Sequence, residues 1–70
     1  MTLTAIIYPG EESGVLIAQN PETGTTTQGK SVEEALANLR EAVELYLSEF
    51  PLEPRAKPLL TTFEVEPARG

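Results

Sequence analysis

The side chains of this sequence best suited to acid–base or metal chemistry are eleven carboxylates, every one of them a glutamate. Five of these, Glu33, Glu34, Glu41, Glu44 and Glu49, fall in one helical stretch. Catalytic carboxylates must converge in a pocket whose surroundings split their pKa values. A hard cation likewise needs several oxygens turned towards one point. Glutamates spread along a helix flank satisfy neither demand, and Arg40 stands four residues before Glu44, where it offsets that charge. They read as a solvated face, and their spacing resembles no calcium loop. Gly24, Gly29 and the threonines between them, followed by Lys30-Ser31, invite comparison with a phosphate cradle. The stretch lacks GxGxxG spacing, and turn and helix cap account for these residues better.

The residue types that are missing narrow the chemistry further. There is no His, no Cys, no Trp and no Asp. A zinc site of the usual nitrogen and sulfur ligands is thereby excluded, as is a nucleophilic mechanism built on His or Cys. Disulfides are impossible. Ser31 has no His and no credible lysine base to activate it and reads as an N-cap. Tyr8 and Tyr46 read as core or interface rings. The expectation is a protein with no catalytic residues, no metal and no cofactor, one that binds rather than catalyses.

Charge says what it would bind. Five basic residues against eleven acidic ones give a net charge of −6. That balance argues against phosphate-backbone binding, which needs clustered Lys and Arg, and favours a basic partner. The charge is uneven. Residues 1–54 carry Lys30 and Arg40 against nine Glu, a net of −7; residues 55–70 carry Arg55, Lys57 and Arg69 against Glu64 and Glu66, a net of +1. No apolar run approaches the roughly 18 residues of a membrane span. Met1 to Tyr8 has no charged n-region of a signal peptide. The expected setting is the cytoplasm, with no direct nucleic-acid or membrane contact.

These residues are positioned by a short series of elements. Thr2 to Tyr8 is rich in β-branched and aromatic residues and predicts a strand. Pro9 to Gly14 is turn chemistry, and Val15 to Gln19 predicts a second strand, so the pair forms an antiparallel hairpin. Asn20 to Gly24 is a second turn, and Thr25 to Gln28 a third strand ended by Gly29. Ser31 then fits an N-cap, with Glu34 three residues later completing a capping box. Val32, Leu36, Leu39, Val43, Tyr46, Leu47 and Phe50 form an apolar stripe, flanked by Ala35 and Ala42, and Pro51 ends the helix. Residues 52–58 hold two prolines and read as a loop. Leu59 to Val65 predicts a last strand, and residues 67–70 a frayed tail. The order is βββαβ: an α+β fold, a small antiparallel sheet with one helix on one face, in a single domain over residues 1–66.

Seventy residues bury only about 60% of the surface of their unfolded chain, so self-association or a partner is expected to add burial. The sheet offers a face for it. Thr4, Ile6 and Tyr8 share one side with either Leu16 and Ala18 or Val15 and Ile17, depending on hairpin register. Leu45 falls outside the helix stripe, either as a lone exposed leucine or as a contact for a second chain. Ile6, Tyr8, Leu45 and Phe63 are the expected self-association residues.

Taken in order, Glu11-Glu12-Ser13-Gly14-Val15, Pro21…Gly24…Thr27-Gln28-Gly29, Ser31-Val32-Glu33-Glu34-Ala35-Leu36-Ala37-Asn38 and Glu41-Ala42…Tyr46-Leu47 resemble the HicB family of antitoxins over roughly residues 1–50. The resemblance implies a partial RNase H-like βββαβ domain. It implies binding to, and inhibition of, HicA, a small basic toxin that cleaves mRNA, and assembly into dimers or tetramers. Glu33, Glu41 and Glu44 on the helix flank, with the first hairpin, are then the expected toxin contacts. Thr23 and Thr25 stand where the family often has Pro and Cys, and Lys30 where Asp or Asn is frequent. Family members that repress their own operon carry an additional C-terminal DNA-binding domain, for which residues 55–70 leave little room. The alternative is an orphan self-assembling scaffold or regulatory subunit with no toxin partner.

Overall fold

The computed structural model describes residues 1–53 and 57–68. Its elements follow in the order β1 (Ile6–Pro9), β2 (Leu16–Asn20), β3 (Thr25–Gly29) and α1 (Val32–Glu49). The strands form one antiparallel sheet in the order β1-β2-β3, and α1 packs on one face of it, over β3 and β2. This is the expected α+β arrangement of sheet and helix.

Both hairpin turns use a glycine where a side chain would be strained. Gly14 has φ 80° and Gly24 φ 79°, values in the left-handed region that L-residues avoid. Backbone bonds close the turns: the Gly10 N–H donates to Val15 O at 2.8 Å, and the Gly24 N–H to Asn20 O at 2.8 Å. The register pairs Ile7 with Ala18 and Tyr8 with Ile17. It also pairs Ala18 with Thr27 and Leu16 with Gly29. Because side chains alternate across a strand, Ile7, Ala18 and Thr27 face the helix while Ile6, Tyr8 and Ile17 share the opposite face. The register alternative is thus settled in favour of Ile17.

Helix α1 starts where its sequence signals a start. The Glu34 N–H donates to Ser31 Oγ at 3.0 Å. The Glu34 carboxylate accepts from the Lys30 N–H at 3.0 Å, one residue further back than in the usual capping box. At the far end Phe50 turns extended, with φ −127° and ψ 123°, ahead of Pro51.

The buried core is Ala18, Ala35, Leu39 and Val43, with Leu3, Ile7 and Leu47 packed against it. Leu39, Val43 and Leu47 of the predicted stripe take part in it, whereas Val32, Leu36 and Phe50 are exposed and Ala35, from the stripe's flank, is fully buried. The cause is a close approach at Gly29, whose absent Cβ lets Ala35 settle directly on β3. Thr27 Oγ1 donates to Ala35 O at 3.2 Å and Asn38 Nδ2 to Gln28 O at 2.8 Å, fastening α1 over β3. The helix therefore sits off-centre, towards β3 and β2, and its Leu36–Leu47 shoulder faces the N-terminal segment ahead of β1.

The last predicted strand is the main departure. Residues 57–68 form no strand and are exposed throughout, with Leu59, Leu60, Phe63 and Val65 among the most exposed large apolar side chains. A strand forms only when a neighbour accepts its backbone bonds, and among the described residues no ladder joins this segment to the sheet. β1 is also shorter than expected, beginning at Ile6. The loop residues 54–56 with Arg55, and Arg69 and Gly70 of the expected tail, lie outside the described residues.

Candidate partner-binding surface

Helix α1 presents its carboxylates away from the sheet. At about 100° per residue, Glu33 and Glu44 fall about 20° apart on the shoulder that faces the N-terminal segment, and Glu41 lies about 60° further round, towards solvent. All three are exposed. Arg40 flanks them on the groove side of the same shoulder and pairs with Glu44 at 3.8 Å, both side chains well solvated. Such a pair contributes little stability. Among the described residues no three potential metal-ligating side chains gather around one point. What this helix surface offers is a spread of negative charge with Arg40 as its local counterweight.

The expected self-association residues do not form one surface. Ile6 and Tyr8 share the open sheet face with Ile17, Tyr8 being 43% exposed. Leu45, 67% exposed, lies on the helix shoulder above β3, away from that face, and Phe63 stands on the extended segment. A further apolar surface was hidden from sequence reading. Leu3, Leu36, Leu39, Val43 and Leu47 line a groove of about 400 Å³ between α1 and the N-terminal segment ahead of β1, rimmed by Arg40 and Glu44. It follows from the off-centre seat of the helix, which only the Gly29 contact reveals.

One wall of this groove is the N-terminal segment, held by a polar cluster. The Glu22 carboxylate accepts from the Thr4 N–H at 3.0 Å and from Thr4 Oγ1 at 2.8 Å. It also accepts from Asn20 Nδ2 at 2.7 Å. Burial pushes the Glu22 carboxyl up, but the bonds from Thr4, its own N–H and Asn20 outweigh burial and hold it below the ordinary value of 4.5. A carboxyl with a depressed folded-state pKa stabilises the fold above its unfolded value and loses that contribution as pH falls through the folded one. Acidification below pH 4.5 is therefore expected to destabilise the native chain more than Glu22→Gln. Urea midpoints across that range measure the difference, and parallel acid profiles would remove Glu22 from this role.

Residues Gly24 to Ser31 spell a Gly-x4-Gly-Lys-Ser pattern, which as a P-loop would wrap phosphates ahead of a helix. Their geometry forbids it. Thr25–Gly29 is strand β3, paired along its length with β2, not a loop. The helix start is occupied by Ser31 Oγ and by the Glu34 carboxylate, which repels an anion. The turn-and-cap reading accounts for these residues.

Comparison with known proteins adds a family. Residues 4–69 match DUF7387, described as a family of unknown function. A UPF0150 protein of Helicobacter pylori (strain J99 / ATCC 700824) is 52% identical over 49 residues, covering 70% of this chain and 67% of that relative. No solved structure matches. Among the described residues, no helix is long and apolar enough to cross a membrane.

Proposed function

Because the chain belongs to the DUF7387 family, we propose a function from its own surface: a non-enzymatic, HicB-like antitoxin module that neutralises a small, basic, HicA-like RNase toxin by direct contact in the cytoplasm. The observation that carries this reading is the exposed carboxylate surface of α1, with Glu33, Glu41 and Glu44, in a region of net charge −7 (two cations against nine glutamates in residues 1–54). The ordered resemblance to HicB antitoxins supports it. A basic toxin approaching that surface gains long-range attraction, and docking over the helix shoulder would cover the toxin's RNA-binding surface with protein carboxylates in place of phosphates.

The direct test mixes the chain with a basic HicA-like toxin and measures complex formation and RNA cleavage. A stable complex that stops cleavage is expected; no complex at micromolar concentration would sink the proposal. Peripheral charges act mainly on association rate and its salt dependence. Glu41→Lys is thus expected to slow association roughly two- to tenfold at low salt and to matter little at high salt. Stopped-flow rates identical to the native chain at low salt would remove Glu41 from the contact. The scaffold reading draws on a different feature, the open sheet face of Ile6, Tyr8 and Ile17.

A further inference from the structure

The chain carries an open strand edge, an uncovered apolar groove and an unused apolar strand segment. Strand β1 is one edge of the sheet. Gly10 and Val15 are a hydrogen-bonded pair, and alternation along an antiparallel ladder makes Tyr8–Ile17 and Ile6–Gln19 bonded pairs as well. The backbone groups of Ile7 and Ala5 then turn outward, with nothing in the sheet to receive them. Pro9 fits such an edge, since it has no N–H to offer. At the start of this edge, on the helix side, lies the groove of Leu3, Leu36, Leu39, Val43 and Leu47, walled by the segment that leads into β1.

The third component is Leu59 to Val65. Its apolar side chains stand 87% (Leu59), 59% (Leu60), 84% (Phe63) and 71% (Val65) exposed. In a strand, Leu59, Thr61, Phe63 and Val65 would share one face. The segment is rooted at the right place, because Lys57 and Pro58 lie beside Met1, Thr2 and Leu3. From there it leads away from its own sheet. The radius of gyration is 14.5 Å, against about 11 Å for a compact chain of this length. An open edge and a bare apolar segment are both association hazards unless covered.

We propose that a second copy of this chain supplies the cover: residues Leu59–Val65 of each copy add as a fourth strand to the β1 edge of the other, with Leu59, Phe63 and Val65 on the face turned towards the groove between α1 and the segment that leads into β1. The exchange is reciprocal and closes around a two-fold axis, so it ends at a dimer. It is a case of strand addition to a sheet edge, in which backbone bonds give affinity and alternate side chains give fit. The proposal does not rest on the toxin-binding reading.

The test uses full-length chains and light scattering at a fixed concentration, with circular dichroism confirming the helix of each variant. The native chain is expected at twice its single-chain mass. Phe63→Glu removes the inserting side chain, and Leu36→Glu places a charge in the receiving groove. Each defect occurs twice per dimer, and each variant is expected to dissociate at least about a hundredfold more readily and to run as a monomer. Mixing the two variants restores one intact contact, between the native segment of one and the native groove of the other. Recovery of dimer in the mixture is the expected result. A monomeric native chain, an undiminished Phe63→Glu dimer, or a mixture that stays monomeric would each overturn the exchange. The last outcome would indicate a segment that folds back on its own β1.

Discussion

Gly29→Ala is expected to destabilise the chain by about 2–3 kcal/mol and to lower Tm by at least about 8 °C, given the 4–8 °C per kcal/mol usual for a domain of this size. The ordinary expectation has the opposite sign. Gly29 does not have positive φ, so alanine fits its backbone. Replacing glycine by alanine at such a place normally stabilises by about 0.4–1 kcal/mol by restricting the unfolded chain. Here the added Cβ would meet Ala35 N at 2.5 Å, Ala35 Cα at 2.9 Å and the Glu34 carbonyl carbon at 3.0 Å. All three are backbone atoms of the first helical turn, so no side chain can swing aside.

The helix start would have to lift from β3. That movement opens the packing at Ala35, which is fully buried, and lengthens the Thr27–Ala35 and Asn38–Gln28 bonds. Gly24→Ala is the control. At φ 79°, with nothing within 4 Å of the place its methyl group would take, it should show backbone strain alone, about 1–2 kcal/mol. Thermal melts of the two variants beside the native chain decide the matter. A Gly29→Ala chain as stable as the native one, or more stable than Gly24→Ala, would mean that the helix start is not seated against β3.

This contact also marks the limit of what sequence patterning conveys. The three strands, the two glycine turns and the helix from Ser31 to Pro51 are legible because each rests on local chemistry: alternation, positive φ, a cap and a proline stop. Where the helix sits on the sheet is not local. Ala18, Gly29 and Ala35 are inconspicuous in sequence because they are small, and smallness is the property that brings α1 against β3. The larger Val32, Leu36 and Phe50 satisfy the helical period better and are left exposed. The same limit hid the groove beside β1. Leu59–Val65 has the composition of a strand, but composition cannot supply the neighbour that a strand requires. Glu33, Glu41 and Glu44 were legible as an exposed face, since three and four residue steps on a capped helix fix their direction.

Asn20→Ala is expected to cost about 3 kcal/mol, because it removes four bonds from a part-buried cluster at once and takes from the Thr4 carbonyl and the Thr23 N–H their partner. Asn20 is the largest fully buried side chain, 1% exposed. Sequence alone reads it as the first residue of a turn before Pro21. In the fold it joins three segments. Its Nδ2 donates to Thr4 O at 2.8 Å and to the Glu22 carboxylate at 2.7 Å. Its Oδ1 accepts from the Thr23 N–H at 2.8 Å and from Thr23 Oγ1 at 2.6 Å. Asn20→Asp separates donor from acceptor roles. The aspartate keeps oxygens for Thr23 but loses the donor to Thr4 and sets a second carboxylate against Glu22. Its deficit should therefore shrink on acidification, as protonation restores a donor and removes the repulsion, whereas the Asn20→Ala deficit should persist. Urea midpoints at neutral and acid pH read both effects; equal deficits for the two variants at both pH values would show that the cluster is not governed by charge. The consequence reaches the association surface, because Thr4 ties down the segment whose Leu3 walls the groove. A chain that loses the Asn20 bonds should lose dimer as well as stability, whereas Phe63→Glu, altering a side chain that is 84% exposed, should weaken the dimer and leave the fold intact.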